Sequence, residues 1–187
     1  MAEIPTIRLQ RGLLTPFEST DAPLVEKYAG DPEVAAMTKN IPHPYPSGGS
    51  VGWIESHAAL FLAGTNVVFA IRKPDGSLIG CINIRTVAEH RRGDLGYWIG
   101  KPFWNQGHAT EAVQAVLAHA FKALGLNKVY AQHLAFNPAS GRVMQKNGMV
   151  REGMQREHYF KGGKFVDVVE YSILKSEYDR RRACPDR

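Results

Sequence analysis

The chain has 187 residues and a formal net charge of +5, from 23 lysines and arginines against 18 aspartates and glutamates. This length suits one domain with a substantial buried core. No window approaches the ~18 consecutive apolar residues of a transmembrane helix, and the start MAEIPTIRL lacks a hydrophobic signal segment. We therefore expect a soluble, cytoplasmic protein that has no membrane partner.

The positive charge is concentrated at the C-terminus. Residues 180–187 contain four arginines and one aspartate, and so supply +3 of the total. Basic ends of this kind are usually solvated and frayed. We predict one domain over residues 1–179 and a flexible basic tail over residues 180–187. The remaining charge is nearly balanced and shows no basic stripe interleaved with aromatic residues, so nucleic acid is not an expected partner.

The two cysteines indicate neither a disulfide framework nor a metal site. Cys81 lies in an apolar strand and Cys184 in the basic tail, and their spacing is not that of metal ligands. We expect Cys81 to fill space in the core and Cys184 to be an exposed thiol. No metal is predicted.

Hydrophobic periodicity and turn residues predict strands and helices along the whole chain. In chain order the predicted elements are a strand over 6–14, a helix over 21–28, a helix that begins at Asp31-Pro32, a helix over 50–62, strands over 66–72, 78–87 and 94–100, a helix that continues to about 121, a strand over 128–135, a helix over 138–147, and a hairpin of strands over 149–159 and 164–174. The helix over 50–62 is predicted to turn Ile54, Ala58, Phe61 and Leu62 inward.

The segment WNQGHATE contains a pattern suited to binding a large anion. Gly107 and Ala109 stand where a loop becomes a helix, and two small residues let backbone N–H groups approach a ligand closely. The helix N-terminus adds free donors and the positive end of its dipole. No G-x-G-x-x-G follows a strand and no Gly-Lys-Ser/Thr occurs, which excludes the dinucleotide fingerprint and the P-loop. The pattern predicts a cradle for a pyrophosphate.

These residues resemble the GNAT superfamily of acyl-CoA-dependent N-acetyltransferases, in particular the branch of the ribosomal-protein N-terminal acetyltransferases RimJ and RimL. The resemblance runs from about residue 7 to 178 and is densest over 96–149. GNAT proteins share a Gln/Arg-x-x-Gly-x-Gly/Ala loop, in which Gly107 and Ala109 match while Trp104 occupies the Gln/Arg position. The branch's N-x-x-S-x-x-x-x-x-K run matches at Asn137, Ser140 and Lys146.

The resemblance implies a mixed α/β (α+β) fold and acetyl-CoA as co-substrate. The expected GNAT fold has a central, mostly antiparallel twisted sheet of about seven strands with a splayed parallel pair, flanked on both faces by about four helices. The pantetheine arm would lie between the strands over 94–100 and 128–135, with a backbone donor near Trp98 or Ile99 facing the thioester oxygen. The residues expected to bind the cofactor are Trp98, Ile99, Trp104, Asn105, Gln106, Gly107, His108, Ala109, Thr110, Asn137, Ser140, Arg142 and Lys146.

Ser140 is the candidate group for returning a proton to the CoA sulfur. Its hydroxyl stands near the start of a helix, from which it could donate to a thiolate, but it could equally only cap that helix. Asn137 would position the pantetheine or the helix start, or serve as a turn residue before Pro138.

The general base is not identified by the sequence. Asp94, Glu89, His90 and His133 all lie near the inferred cleft, with Asp94 on the strand that carries a carboxylate in some family members. A free α-amine has a pKa of about 8 and is partly neutral at pH 7, so a water relay could replace a side-chain base.

The acceptor is expected to be a primary amine that meets the cleft near a proline-rich loop. His43, Tyr45 and Trp53 surround this loop and are the candidate substrate contacts, although loop aromatics could also simply pack on the domain. The resemblance implies a peptide N-terminus as acceptor, attacked directly in a ternary complex. A small amine (a polyamine, an amino acid or an antibiotic) and a non-catalytic acyl-CoA-binding role remain alternatives. A homodimer is also left open.

Overall fold

The computed structural model describes residues 3–183, which form one sheet covered by helices on both faces. The strands are β1 (Ile7–Arg8), β2 (Leu13–Thr15), β3 (Asn66–Arg72), β4 (Leu78–Val87), β5 (Arg92–Ile99), β6 (Lys128–Leu134), β7 (Val150–Lys161) and β8 (Lys164–Leu174). They lie in the order β1-β2-β3-β4-β5-β6-β8-β7, and every neighbouring pair is antiparallel except β5 and β6.

Six α-helices occur within the described range of residues. They are α1 (Ala22–Ala29), α2 (Pro32–Met37), α3 (Gly49–Leu62), α4 (His108–Lys122), α5 (Pro138–Lys146) and α6 (Lys175–Ala183). The start of α2 is capped as predicted, since the Asp31 side chain accepts from the backbone N–H of Glu33 at 2.8 Å and of Val34 at 3.3 Å. No helix among residues 3–183 is both long and apolar enough to cross a membrane.

The two faces of the sheet carry separate apolar clusters. On one face α4 packs Val113 and Leu117 against strand residues such as Phe69 and Ile82. On the other face α1 and α3 form a cluster with Ala70 and Leu78, against which Trp98 packs. The predicted mixed fold is confirmed, with eight strands instead of about seven and six helices instead of about four.

One extra strand arises because the predicted strand over 6–14 is divided by a tight turn. Leu9 N–H donates to Gly12 O at 2.9 Å, and the chain reverses to form β1 and β2. Gly12 is required next to β3, since a Cβ there would lie 2.0 Å from Arg72 O. The alternating pattern therefore predicts the extended chain correctly but does not indicate the reversal within it.

The inward face predicted for α3 is wrong in part. Ser50, Ile54 and His57 are buried, whereas Ala58 is exposed and Leu62 is 65% exposed. The buried face contains two polar side chains, of which Ser50 donates to Glu26 Oε1 at 2.7 Å. Because two of the buried positions are polar, the hydrophobicity pattern does not identify the buried face of α3.

The basic segment begins as helix. Residues 180–183 form the end of α6, where Arg182 Nη1 donates to Tyr178 OH at 3.0 Å and Tyr178 packs on Phe121. These four residues are therefore helical, and the division into a domain over residues 1–179 and a flexible tail over residues 180–187 stays a prediction. Residues 184–187, including Cys184, lie outside the described residues. Cys81 is buried as predicted.

Candidate active site

The parallel strands β5 and β6 diverge and leave a cleft between them. Their pairing extends only from Arg92–Leu95 on β5 to Lys128–Ala131 on β6. Beyond Leu95, β5 remains paired with β4 as far as Ile99, while β6 remains paired with β8 as far as Leu134. Each strand thus follows its outer neighbour, and a cleft of about 740 Å³ opens in the gap.

Backbone groups of β5 point into this gap. Gly100 N–H donates to Ile79 O on β4 at 2.9 Å, so alternation along the strand turns the N–H and C=O of Ile99 toward the gap. Trp104 Nε1 donates to Ile99 O at 2.6 Å, which agrees with this direction. The N–H of Trp98 faces β4 by the same alternation. Of the two predicted backbone donors, Ile99 is the one that faces the cleft.

The predicted anion cradle lies at one end of the cleft. Gly107 has φ 84° and is the N-cap of α4, so the N–H groups of the first helical turn are left without helical partners. The cradle residues that line the cleft are Trp104, Asn105, Gly107, His108, Ala109 and Thr110. Gln106 does not line it, and its side-chain amide donates to Pro102 O at 3.1 Å. The indole of Trp104 ties this loop to the end of β5.

The start of α5 forms a second wall of the cleft. Asn137 caps this helix, since its Oδ1 accepts from Ser140 N–H at 3.3 Å and its Nδ2 donates to Met37 O at 3.0 Å. The Ser140 hydroxyl does not cap the helix, contrary to one of the two predicted roles. Arg142 and Lys146, on the next turns, also line the cleft.

Ser140 is instead paired with a tyrosine that the sequence analysis missed. Ser140 Oγ lies 2.8 Å from Tyr97 OH on β5, and either atom can be the donor. Tyr97 OH also lies 3.1 Å from Ser140 O. Burial raises the pKa of Tyr97, which keeps its hydroxyl protonated. The two residues form a hydroxyl pair at the side of the cleft.

The opposite end of the cleft is covered by the segment that follows α2. Residues 38–42, together with Tyr45 and Trp53, line this end, whereas His43 does not. Lys161 Nζ at the tip of the β7–β8 hairpin lies 3.5 Å from both Lys39 O and Ile41 O. Long-range contacts of this kind hold the segment over the cleft.

This covered end contains both signs of charge. Lys39 Nζ donates to Gln132 Oε1 at 2.7 Å, and Gln132 Nε2 donates to Glu170 Oε2 at 2.7 Å. Asp94 Oδ2 lies 3.7 Å from Arg85 Nη1. Burial lowers the pKa of Lys39, while the nearby Asp94 carboxylate opposes that shift. Lys39 and Gln132 were missed because nothing in the local sequence shows that they meet.

The four candidate bases separate into two pairs. Asp94 and His133 line the cleft. His133 is buried, its Nδ1 lies 2.9 Å from Leu134 O, and burial lowers its pKa. Glu89 and His90 do not line the cleft and instead pair with each other at 3.0 Å in a surface turn. Among residues 3–183, no group of three or more His, Cys, Asp or Glu side chains converges as metal ligands would.

Comparison with known proteins points to a single family. Residues 11–150 match the family described as Acetyltransferase (GNAT) domain. The chain is 30% identical to the uncharacterized N-acetyltransferase p20 of Bacillus licheniformis, over 92% of this chain and 98% of that protein. It is 27% identical to the ribosomal-protein-serine acetyltransferase of Escherichia coli K12, over 65% of this chain and 68% of that protein.

The chain is also similar to a second enzyme of known name and to a solved structure. The chain is 27% identical to the spermidine N(1)-acetyltransferase of Vibrio cholerae, over 60% of this chain and 66% of that protein. The crystal structure of a GNAT-family acetyltransferase from Bacillus anthracis matches with a TM-score of 0.81 at 25% identity, covering 92% of this chain and 99% of that one.

Proposed function

Since the chain belongs to the GNAT acetyltransferases, we propose that it transfers the acetyl group of acetyl-CoA to the α-amine of a protein N-terminus, by direct attack in a ternary complex. The observation that carries this proposal is the gap between β5 and β6, which has an anion cradle at one end and a covered polar pocket at the other. A cofactor arm laid along the gap would bring its reactive end beside the pocket.

The residues at the cradle fit a pyrophosphate. Gly107 offers no side chain, and the free N–H groups of His108, Ala109 and Thr110 converge at the positive end of α4. Arg142 and Lys146 on α5 line the same cleft and would add positive charge beside the phosphates. When bound, acetyl-CoA supplies an activated thioester.

Two groups beside the gap suit the chemistry of the thioester. The Ile99 N–H would donate to the thioester oxygen as negative charge develops there. The hydroxyl pair would return a proton to the departing thiolate: Ser140 Oγ would give its proton to the sulfur while Tyr97 OH donates a hydrogen bond to the Ser140 oxygen, and the proton released by the amine would restore the Ser140 hydroxyl. Attack forms the new N–C bond, the C–S bond breaks, and the amine loses this proton through Asp94 or water.

The charges at the covered end favour an α-amine over a polyamine. The cations of Lys39 and Arg85 stand among the carboxylates of Asp94 and Glu170, so the pocket has no excess of negative charge. A polycation such as spermidine would need such an excess to offset its own charge. A single α-amine, partly neutral at pH 7, does not.

An acceptor screen that detects released thiol tests the proposal. The matched acceptors are a lysine-free peptide with a free α-amine, the same peptide with a blocked N-terminus and one lysine, and spermidine. We expect thiol release with the first and little with the other two. Faster release with spermidine would overturn the choice of acceptor. CoA binding without turnover on any amine would instead support a non-catalytic binding protein. The cytoplasmic location and a homodimer remain predictions.

A further inference from the structure

The turn between β1 and β2 contacts the anion cradle from outside the cleft. Arg11 Nη1 donates to Gln106 O at 2.7 Å, on the residue just before Gly107. A Cβ at Gly107 would lie 3.1 Å from the same nitrogen. The guanidinium therefore lies directly against the cradle, although the cleft lining does not include it.

The same turn also contacts the first turn of α4. Glu111 Oε1 accepts from the backbone N–H of Gln10 and from that of Arg11, the latter at 3.1 Å. Its Oε2 is buried and has no hydrogen-bond partner within residues 3–183, and it lies 3.9 Å from Arg11 Nε. Arg11 thus joins the two segments that flank Gly107, the loop before it and the helical turn after it.

The carboxylate of Glu111 lies where it would repel a bound pyrophosphate, and the Arg11 guanidinium counters that repulsion. A carboxylate in the first turn of a helix is stabilised by the helix dipole, but it repels an anion bound at that same N-terminus. The Glu111 side chain is only 12% exposed, so water screens its charge weakly. The Arg11 guanidinium pairs with this carboxylate and, with its side chain 59% exposed, offsets part of the negative charge.

We propose that Arg11 is a positioning residue for the pyrophosphate cradle, acting by fixing the loop at Gln106 and by offsetting part of the charge of Glu111. The inference rests on the proposed use of acetyl-CoA. Arg11 does not touch the reacting atoms, so its effect concerns affinity for the pyrophosphate and not the chemical step.

The test compares a cofactor that has a pyrophosphate with one that lacks it. Acetyl-CoA and S-acetylpantetheine carry the same thioester, but only the first contains a pyrophosphate. In Arg11→Met we expect the ratio of kcat/KM for acetyl-CoA to that for S-acetylpantetheine to fall about tenfold, as for one lost hydrogen bond to a charged group. This change should come from a higher KM for acetyl-CoA, with kcat little changed. Arg8→Met, an exposed arginine on β1, is the matched control.

A second variant separates charge from structure. Glu111→Gln keeps an oxygen for the two backbone N–H groups but removes the charge. We expect the double variant Arg11→Met/Glu111→Gln to recover part of the CoA affinity that Arg11→Met loses, measured by calorimetry. An unchanged ratio in folded Arg11→Met, or no recovery in the double variant, would overturn the positioning role. Failure of the wild-type protein to bind CoA would instead overturn the proposed function.

Discussion

Two hydroxyl groups that are 43 residues apart in sequence meet at the side of the cleft. Since Asn137 provides the helix cap, Ser140→Ala should leave that cap intact. If Ser140 protonates the departing thiolate, this variant should lower kcat roughly 10- to 100-fold, with CoA affinity little changed. Steady-state kinetics and calorimetry on the same protein measure both quantities.

The matched control for Ser140→Ala is a variant of Asn137, the residue that caps α5. Asn137→Ala removes the capping oxygen and should cost about 1 kcal/mol of stability. Tyr97→Phe should resemble Ser140→Ala if the two hydroxyls act together. Full turnover in Ser140→Ala would leave a water molecule as the proton donor and remove the proposed role.

A second residue-scale prediction concerns Asp94 and the pH dependence of activity. If the acceptor is an α-amine and water removes its proton, kcat/KM should rise with pH and level off near the amine's pKa of about 8. A side-chain base would add a lower inflection to the profile. We expect the single rise, and we expect Asp94→Asn to keep its shape. A lower inflection that is lost in Asp94→Asn would identify Asp94 as the base, and Glu89→Gln is a control outside the cleft.

At the scale of elements, the N-terminus of α4 depends on Gly107. A side chain there would need the left-handed conformation and would meet Arg11, while closing the approach to the backbone donors. We predict that Gly107→Val or Ala109→Glu abolishes CoA binding in calorimetry while the fold persists.

The control lies at the other end of the same helix. Gly125 also has a positive φ, of 63°, and a Cβ there would meet nothing within 4 Å. Gly125→Val should therefore lose a similar amount of stability and retain CoA binding. Unchanged CoA affinity in folded Gly107→Val would remove the cradle as a binding site.

Several elements could be predicted closely from the sequence because local signals define them. The bounds of β3 and β4 agree with the prediction, since strong apolar runs end at the Pro74-Asp75-Gly76 turn. The helix α5 agrees to within one residue at its end. The family and the enzyme class predicted from the cradle and the Asn137 run are also confirmed.

The rest of the cleft depends on contacts between distant residues, which no local pattern contains. Lys39 meets Gln132, 93 residues away, and Asn137 meets the carbonyl of Met37, 100 residues away. The direction of the Ile99 N–H follows from the pairing of β5 with β4. Periodicity indicates which residues form a strand, but the neighbour of that strand decides which backbone groups remain free.

At the scale of the whole molecule, burial of histidines couples stability to pH. Burial lowers the pKa of His108, His119 and His133, and it lowers that of His57 to about 4. A histidine with a lowered folded pKa is protonated more readily in the unfolded chain. Stability is therefore complete above the unfolded value of about 6.5 and falls as the pH drops toward the folded value.

His57 provides the sharpest test of this coupling. It is 4% exposed, neither ring nitrogen has a hydrogen-bond partner within residues 3–183, and the ring packs edge-to-face against both Phe17 and Trp53. We predict that, between pH 7 and pH 4, the free energy of unfolding of His57→Leu falls by about 3 kcal/mol less than that of the wild type, because its unfolded chain no longer gains that proton. Urea unfolding across this range measures the difference, with exposed His158→Leu as the control. Equal losses in wild type and His57→Leu would show that this ring does not carry the acid sensitivity.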